Sequence, residues 1–256
     1  SEIDPNFFWI DKKNILEERD LHSFLWLNLI DRKNDGKSLQ KIIKIWIMKH
    51  SNYKKKIWDS SVLSQRIISW VLNVDIILNK GSFDFRRNFF SSIVSQANHL
   101  KKNIKFEKNY YKRIEILTAL MLTGLVFKEY SENYNIAVKE LEKLVKKIFD
   151  HDGFPLTRNP SDLIFFSKYL IFCKECIKEA QEYIPEFLDN IIIQNLTCLK
   201  NISTPNNQVP LFNGGSEENL QQFSEFVKKL DFKTKNKKNI IGGIQKFKFK
   251  NICVYF

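Results

Sequence analysis

The sequence predicts an all-α fold that ends in a short β segment. Apolar residues recur at helical spacing over most of the chain, up to about residue 230. Near the C-terminus the pattern changes to strict alternation, which is typical of strands. The 256 residues, of which 43% are hydrophobic and 27% charged, are sufficient to bury a substantial core. The composition is that of a soluble globular protein.

Nine helical segments are predicted in succession. In each of them apolar side chains lie three and four residues apart, and two begin at Pro160 and Pro185, because proline is tolerated in a first turn. The segments lie near residues 21–29, 39–47, 62–78, 85–100, 110–127, 135–149, 160–177, 185–196 and 216–230. Short polar turns between them predict stacked antiparallel hairpins, arranged as a toroid or partial toroid. A helical-repeat solenoid would give a similar pattern, but the sequence has no fixed period.

The chain is predicted to consist of a helical domain at residues 1–230, a Lys/Asn-rich linker at 231–239 and a β segment at 240–256. Aromatic and β-branched residues alternate with polar ones in the last segment. A short hairpin is marginally stable alone, so we expect this segment to begin a truncated β-sandwich domain. The chain does not begin with Met, and we expect it to be a fragment.

The formal net charge of +12 invites a polyanionic partner. The basic residues are 34 Lys and 7 Arg, and most of the Lys are interpreted as solvated helix faces. A basic cleft for an acidic glycan is the alternative. Nucleic acid is a weaker option, because Arg is the residue that contacts phosphate in a bidentate manner and Arg is scarce here.

No stretch approaches the ~18 apolar residues that a membrane span requires. We expect a soluble bacterial protein, in the cytoplasm or the periplasm, of undefined oligomeric state.

The Cys173-x-x-Cys176 pair falls within a predicted helix and lacks a second pair at zinc-site spacing. The cysteines are therefore interpreted as small buried apolar residues, and no metal or cofactor is predicted in this chain.

Two polar, turn-rich segments interrupt the helices. Asp152–Pro160 reads Asp-Gly-Phe-Pro-Leu-Thr-Arg-Asn-Pro, and Pro210–Gly215 reads Pro-Leu-Phe-Asn-Gly-Gly. Loops held by a rigid scaffold commonly carry binding and catalytic residues. These two segments are therefore the first candidates for a functional site.

Together with two helices, these segments resemble the heparinase II/III family of polysaccharide lyases. Trp58–Trp70 carries Arg-Ile-x-x-Trp after an opening Trp, and Glu115–Phe127 carries Ala-Leu-x-x-x-Gly-Leu-x-Phe. The four segments occur in the family's order and span about residues 55–216. The resemblance implies an (α/α) toroid joined to a β-sandwich, and eliminative cleavage of an acidic, uronate-containing polysaccharide. It also implies that further catalytic and metal-binding groups lie on the β-sandwich, outside this chain.

Three positions, in two motifs, depart from the family's pattern. Active members usually carry Asn-His near the start of the Ala-Leu helix, where this chain has Tyr111 and Lys112. They often carry His three residues after the Pro of Arg-x-Pro, where this chain has Leu163. The scaffold therefore matches better than the catalytic groups.

Three residues are candidates for holding the uronate carboxylate. Arg158 precedes a helix N-terminus, where backbone amides also favour anions. Its alternative is a structural ion pair. Asn159 is a substrate-binding candidate or the helix N-cap before Pro160. Asn213 precedes two glycines and is a substrate contact or a turn residue.

Acid and base candidates are Tyr110 and Tyr111, at the start of the Ala-Leu helix, and His151, beside Asp-Gly. The family-like helix also suggests Arg66 and Trp58 as substrate-binding residues, Trp58 by stacking on a sugar ring. Core packing is the alternative for the aromatic residues.

A non-catalytic glycan-binding or scaffold toroid is the alternative function, and a helical-repeat adaptor for protein or nucleic acid is a third.

Overall fold

The computed structural model describes residues 15–30, 36–54, 56–204, 206, 208–216, 220–230, 232, 234, 240–249 and 252–256. Within them the chain is predominantly α-helical and ends in a three-stranded antiparallel sheet, which confirms the predicted fold class. The helices are α1 Ile15–Ser23, α2 Gly36–His50, α3 Ser60–Leu72, α4 Val74–Leu78, α5 Phe83–Asn103, α6 Tyr110–Val126, α7 Ser131–Ile148, α8 Pro160–Glu179, α9 Glu186–Ile202 and α10 Leu220–Lys229. The strands are β1 Ile240–Ile241, β2 Ile244–Phe249 and β3 Ile252–Tyr255.

The chain forms two compact units, Ser1–Ala137 and Val138–Phe256. The division falls within α7, whereas the predicted division falls at residues 231–239. That predicted linker lies outside the described residues except for Phe232 and Thr234, and the domain boundaries remain a prediction.

Side chains of the residues preceding the helices cap several of them. Asp59 accepts from the Ser61 amide at the start of α3, and Ser82 accepts from the amide of Phe85 in α5. Asn109 accepts from two amides in the first turn of α6. Such caps satisfy amides that have no partner inside the helix, and they define where each helix begins.

The first unit is built around α3 and α6, which pack against each other. Every residue of α6 from Ile114 to Gly124 is buried, as expected of a helix covered on all sides. Trp46 and Trp70 are fully buried in an edge-to-face arrangement with ring centroids 5.4 Å apart. Neither ring reaches the surface, so these two tryptophans belong to the core of the first unit.

Two predicted helices are interrupted in the structure. The segment near residues 21–29 breaks at Phe24, which adopts φ 59° and leads into the 3₁₀ helix Leu25–Leu29. The segment near residues 62–78 breaks at Asn73, whose amide donates to the Ser69 carbonyl and to Asn28. Asn competes for backbone hydrogen bonds in this way, and a helix ends where it does so.

The second unit packs α8 against α9, with the sheet at the end of α9. The strand order is β1-β2-β3, with Phe247 opposite Val254 in the antiparallel register. The Tyr255 hydroxyl donates to the Ile202 carbonyl at 2.7 Å, and Lys246 Nζ donates to the carbonyls of Asn201 and Ser203. These donors satisfy carbonyls that the last turn of a helix leaves unpaired, and the ammonium complements the negative end of the helix dipole.

Tyr255→Phe is expected to lower the free energy of unfolding by about 1 kcal/mol, because it removes one hydrogen bond from the end of α9. Urea unfolding followed by circular dichroism measures the change. Tyr110→Phe, at an exposed residue in the first turn of α6, is the control and should leave stability unchanged. Equal stability of the two variants would show that the sheet does not cap α9.

Candidate functional site

The loop between α7 and α8 is folded around the carboxylate of Asp150. One carboxylate oxygen accepts from the backbone amides of Asp152 and Phe154, at 2.9 and 3.0 Å. The Asp150 backbone amide donates to the Phe154 carbonyl, and the Gly153 amide donates to the Asp150 carbonyl. A side-chain oxygen that accepts from amides two and four residues later holds a tight turn in place.

Arg158 binds the other oxygen of the same carboxylate. Its Nη1 lies 2.5 Å from Asp150 Oδ2 and 3.3 Å from the Pro155 carbonyl. The guanidinium carbon lies 5.5 Å from the centre of the Phe154 ring. The Asp150 side chain is 9% exposed and that of Arg158 is 30% exposed, so the cation is partly accessible while its counter-ion is covered.

His151 and Asp152 form an adjacent pair on the same loop. His151 Nε2 lies 3.4 Å from Asp152 Oδ2, and the side chains are 86% and 7% exposed respectively. Burial, and then the nearby carboxylates of Asp150 and Asp152, raise the pKa of the Cys198 thiol far above its ordinary value. The Cys198 thiol, which lies in α9, is therefore protonated and unreactive. The exposed group of the loop that can react is the His151 imidazole.

The turn between β1 and β2 packs directly on this loop. The Gly242 amide donates to Asp152 Oδ2 at 3.1 Å. A Cβ at Gly242 would lie 2.5 Å from a ring carbon of Phe154 and 3.0 Å from Arg158 Nη1, and φ is +58°. Only glycine fits this position. In the sequence, the Gly242-Gly243 pair was the available sign of this turn. The alternation around it predicted strands but not the contact with the loop.

Asn159 is the N-cap of α8. Its Oδ1 accepts from the Ser161 amide at 2.8 Å, and Pro160 occupies the first turn. Thr157 donates to the buried carboxylate of Asp162 at 2.6 Å and closes the loop on the first turn of the helix. Since Asn159 uses its oxygen for the cap, its amide nitrogen is the atom that could contact a ligand.

The Asn213 segment lies against the same helix N-terminus. Asn213 Nδ2 donates to the Arg158 carbonyl at 3.2 Å, with φ +52° at Asn213. The Ser216 amide donates to Ser161 Oγ at 2.9 Å. Arg158, Asn159 and Asn213 are thus in one cluster, with His151 on the same loop. We call these four residues, with Asp150 and Asp152, the α8 site.

The remaining candidates belong to the first unit. Tyr110 and Tyr111 are exposed in the first turn of α6. Lys112, at the second position that departs from the family's Asn-His, pairs with Asp59 at 2.6 Å. Trp58 is buried, and its indole nitrogen donates to the His50 carbonyl.

Arg66, a candidate substrate-binding residue, is fully buried, and that role stays a prediction. Its Nε donates to Gln96, and its Nη1 donates to the carbonyls of His22 and Ile57. The guanidinium lies 4.3 Å from the centre of the Trp46 ring. Burial lowers the pKa of Arg66 to about 9, and burial also lowers the pKa of His22 to about 3. The guanidinium therefore serves the core of the first unit.

Asp150, His151 and Asp152 also have the spacing of a metal site, with their potential ligand atoms within 4.8 Å of one another. In this structure Arg158 forms an ion pair with Asp150, and the Gly242 amide donates a hydrogen bond to Asp152 Oδ2. The arrangement is that of a carboxylate pair already bound by a cation and a backbone donor. We therefore assign no metal to it.

No helix in the described part of the chain has the length and apolar character needed to cross a membrane. No protein-family profile and no curated protein matches the sequence.

Solved structures are similar over most of the chain. The heparan sulfate lyase HepC from Pedobacter heparinus aligns with a TM-score of 0.71 at 16% identity, over 96% of this chain and 44% of that one. The heparinase III BT4657 gene product aligns with a TM-score of 0.67 at 17% identity, over 90% of this chain and 41% of that one. The chain thus spans less than half the length of these proteins. At such identities the similarity shows the fold, which this chain shares with heparinase III structures.

Proposed function

We propose that this chain is a polysaccharide lyase domain that cleaves an acidic, uronate-containing polysaccharide by β-elimination at the α8 site. The proposal is supported by a fold shared with two lyases, one of which is described as acting on heparan sulfate. The observation that carries it is the α8 site itself, where the Asn159 and Asn213 carboxamides lie at the start of α8 and the preceding loop carries a partly exposed guanidinium and an exposed imidazole.

Elimination requires the uronate carboxylate to be held while its charge spreads. In the α8 site the Asn159 and Asn213 carboxamides and the Arg158 guanidinium are the donors for this role. Gly214 lies beside Asn159, with an added Cβ 3.7 Å from Asn159 Nδ2. The absence of a side chain there leaves the carboxamide approachable.

His151 is the proposed base. Its imidazole removes the proton from C5 of the uronate, the electron pair forms the C4–C5 double bond, and the C4–oxygen bond breaks as the leaving oxygen takes the proton back from the imidazolium. Asp152, 3.4 Å away, orients the imidazole. Tyr110 and Tyr111 remain proposed acid and base groups from the resemblance, each testable by substitution with Phe.

A non-catalytic glycan-binding domain is the second candidate. Two observations favour it: Arg158 is already neutralised by Asp150, and Leu163, where the family often has His, is fully buried. Such a domain would bind the acidic glycan through the same carboxamides without changing it.

His151→Ala is expected to lower the rate of cleavage of heparan sulfate at least ~100-fold, the usual contribution of a general base. The unsaturated uronate product is measured by its ultraviolet absorbance, and binding by calorimetry. Leu156→Ala, at an exposed residue of the same loop, is the control and should retain the rate.

Three outcomes separate the candidates. Cleavage that depends on His151 supports the lyase. Binding by the wild-type protein without product supports the non-catalytic domain. Absence of both binding and cleavage with heparan sulfate and with polygalacturonate would overturn the proposal.

A further inference from the structure

A groove of about 890 Å³ runs along α5 in the first unit. We call it the α5 groove. Its floor is formed by Ser91, Ser95, Asn98 and Lys102, and its two ends are lined by aromatic side chains. None of these residues belongs to the α8 site, and no function proposed above uses them. The volume lies within the range of sites that bind small molecules.

The floor is one polar stripe of α5. Residues 91, 95, 98 and 102 are spaced by four, three and four, which places them on one face of a helix. The opposite face, which includes Phe89, Ile93 and Leu100, is buried in the core. The stripe therefore displays two hydroxyls, a carboxamide and an ammonium to solvent, in a row that follows the groove.

Aromatic rings close the two ends. At one end Phe127 lies between Phe90 and Tyr130, with ring centroids 5.5 and 6.4 Å away. At the other end the His99 ring lies 5.2 Å from Trp58 and 5.4 Å from Tyr53. Flat aromatic faces beside hydroxyl and amide donors are the combination that binds the apolar face and the hydroxyls of a sugar ring.

The charge of the groove is positive. No Asp or Glu is among its described lining residues, and Lys102 makes no ion pair within the described part of the chain. The neighbouring Lys101, in contrast, is paired with Glu132 at 2.5 Å. Burial, and then the Lys102 charge, lower the pKa of His99. A ligand with a carboxylate or sulfate near Lys102 would complement this field.

We propose that the α5 groove binds a short anionic oligosaccharide as a second glycan site, separate from the α8 site. Lys102 would bind the acidic group, Ser95 and Asn98 the ring hydroxyls, and the aromatic ends the faces of the terminal rings. Trp58, suggested by the sequence as a sugar-stacking residue, would form part of one end wall. The site binds without cleaving, so its test does not depend on the reaction proposed above.

The test is binding of a heparan sulfate hexasaccharide, measured by calorimetry. Lys102→Ala is expected to weaken binding about 10-fold, the effect of losing one charge-assisted hydrogen bond. Ser95→Trp fills the middle of the groove and should weaken binding by at least as much. Lys44→Ala, an equal charge change at an exposed position of α2, should alter the dissociation constant less than about 2-fold. Thermal unfolding confirms that each variant is folded.

Two further arms separate the α5 groove from the α8 site. Maltohexaose, a neutral oligosaccharide, should bind more weakly and should be insensitive to Lys102→Ala. Arg158→Ala should leave the shifts that the hexasaccharide induces in the α5 amides unchanged in NMR spectra. Loss of those shifts in Arg158→Ala, or equal weakening by Lys44→Ala and Lys102→Ala, would overturn the second site. Cleavage that depends on His151 would then still support the lyase proposal.

Discussion

Gly124→Ala is expected to lower the free energy of unfolding by about 3 kcal/mol, the upper end of the usual cost of overpacking. A Cβ at Gly124 would lie 2.3 Å from the backbone nitrogen of Tyr134 and 2.8 Å from its Cα. Both partners are backbone, so no side-chain rotation can relieve the overlap, and α6 and α7 must separate. This glycine belongs to the Ala-Leu-x-x-x-Gly segment, and the contact explains why a residue of poor helix propensity lies inside a buried helix.

Gly36→Ala is the matched control, because among the described residues a Cβ there meets the Ile76 carbonyl at 3.4 Å, an ordinary van der Waals distance. It should change stability by less than ~1 kcal/mol, since alanine is also a better helix former than glycine. Denaturant unfolding of the two variants gives the comparison. Equal stability would show that α6 and α7 do not approach as closely as the structure describes.

Asp150→Ala is the second change with a large expected effect, a loss of about 3 kcal/mol of stability. The substitution removes the acceptor of the Asp152 and Phe154 amides and leaves the Arg158 guanidinium without its counter-ion. Because Arg158 is 30% exposed, water recovers part of the loss, and the effect stays below that of a fully buried pair.

Asp150→Asn separates the two roles. It keeps an oxygen for the two amides but loses the charge that holds Arg158, so a loss of about 1 kcal/mol is expected. A double-mutant cycle between Asp150→Ala and Arg158→Ala measures the coupling directly. No coupling would mean that the ion pair does not order the loop, and Arg158 would then be free for a carboxylate ligand.

The helices could be predicted because each one buries an apolar face. Burial of one face requires apolar residues three and four positions apart, and this spacing is visible in the sequence. The interruptions at Phe24 and Asn73 could not be. Asn73 ends α3 through a hydrogen bond to Asn28, which lies 45 residues earlier in the chain. A local pattern carries no information about such a contact.

The site was predictable to a similar degree. Asn159 before Pro160 indicated an N-cap, and the cap is present, because capping is a contact between near neighbours. The Arg158–Asp150 ion pair crosses a loop whose conformation depends on φ at Arg158, and spacing alone does not indicate it. The burial of Arg66 could not be predicted either, because its guanidinium donates to the carbonyls of His22 and Ile57, which the spacing along α3 does not indicate.

The packing of the β1–β2 turn on the α8 site has a consequence for motion. The Gly242 amide can exchange its hydrogen with solvent only when it leaves Asp152, and the same movement uncovers the ring of Phe154 and the Nη1 of Arg158. Local opening of the sheet and loosening of the loop are therefore one cooperative event. A ligand that orders the loop will slow amide exchange in the turn, so the turn reports occupancy of a site to which it contributes no side chain.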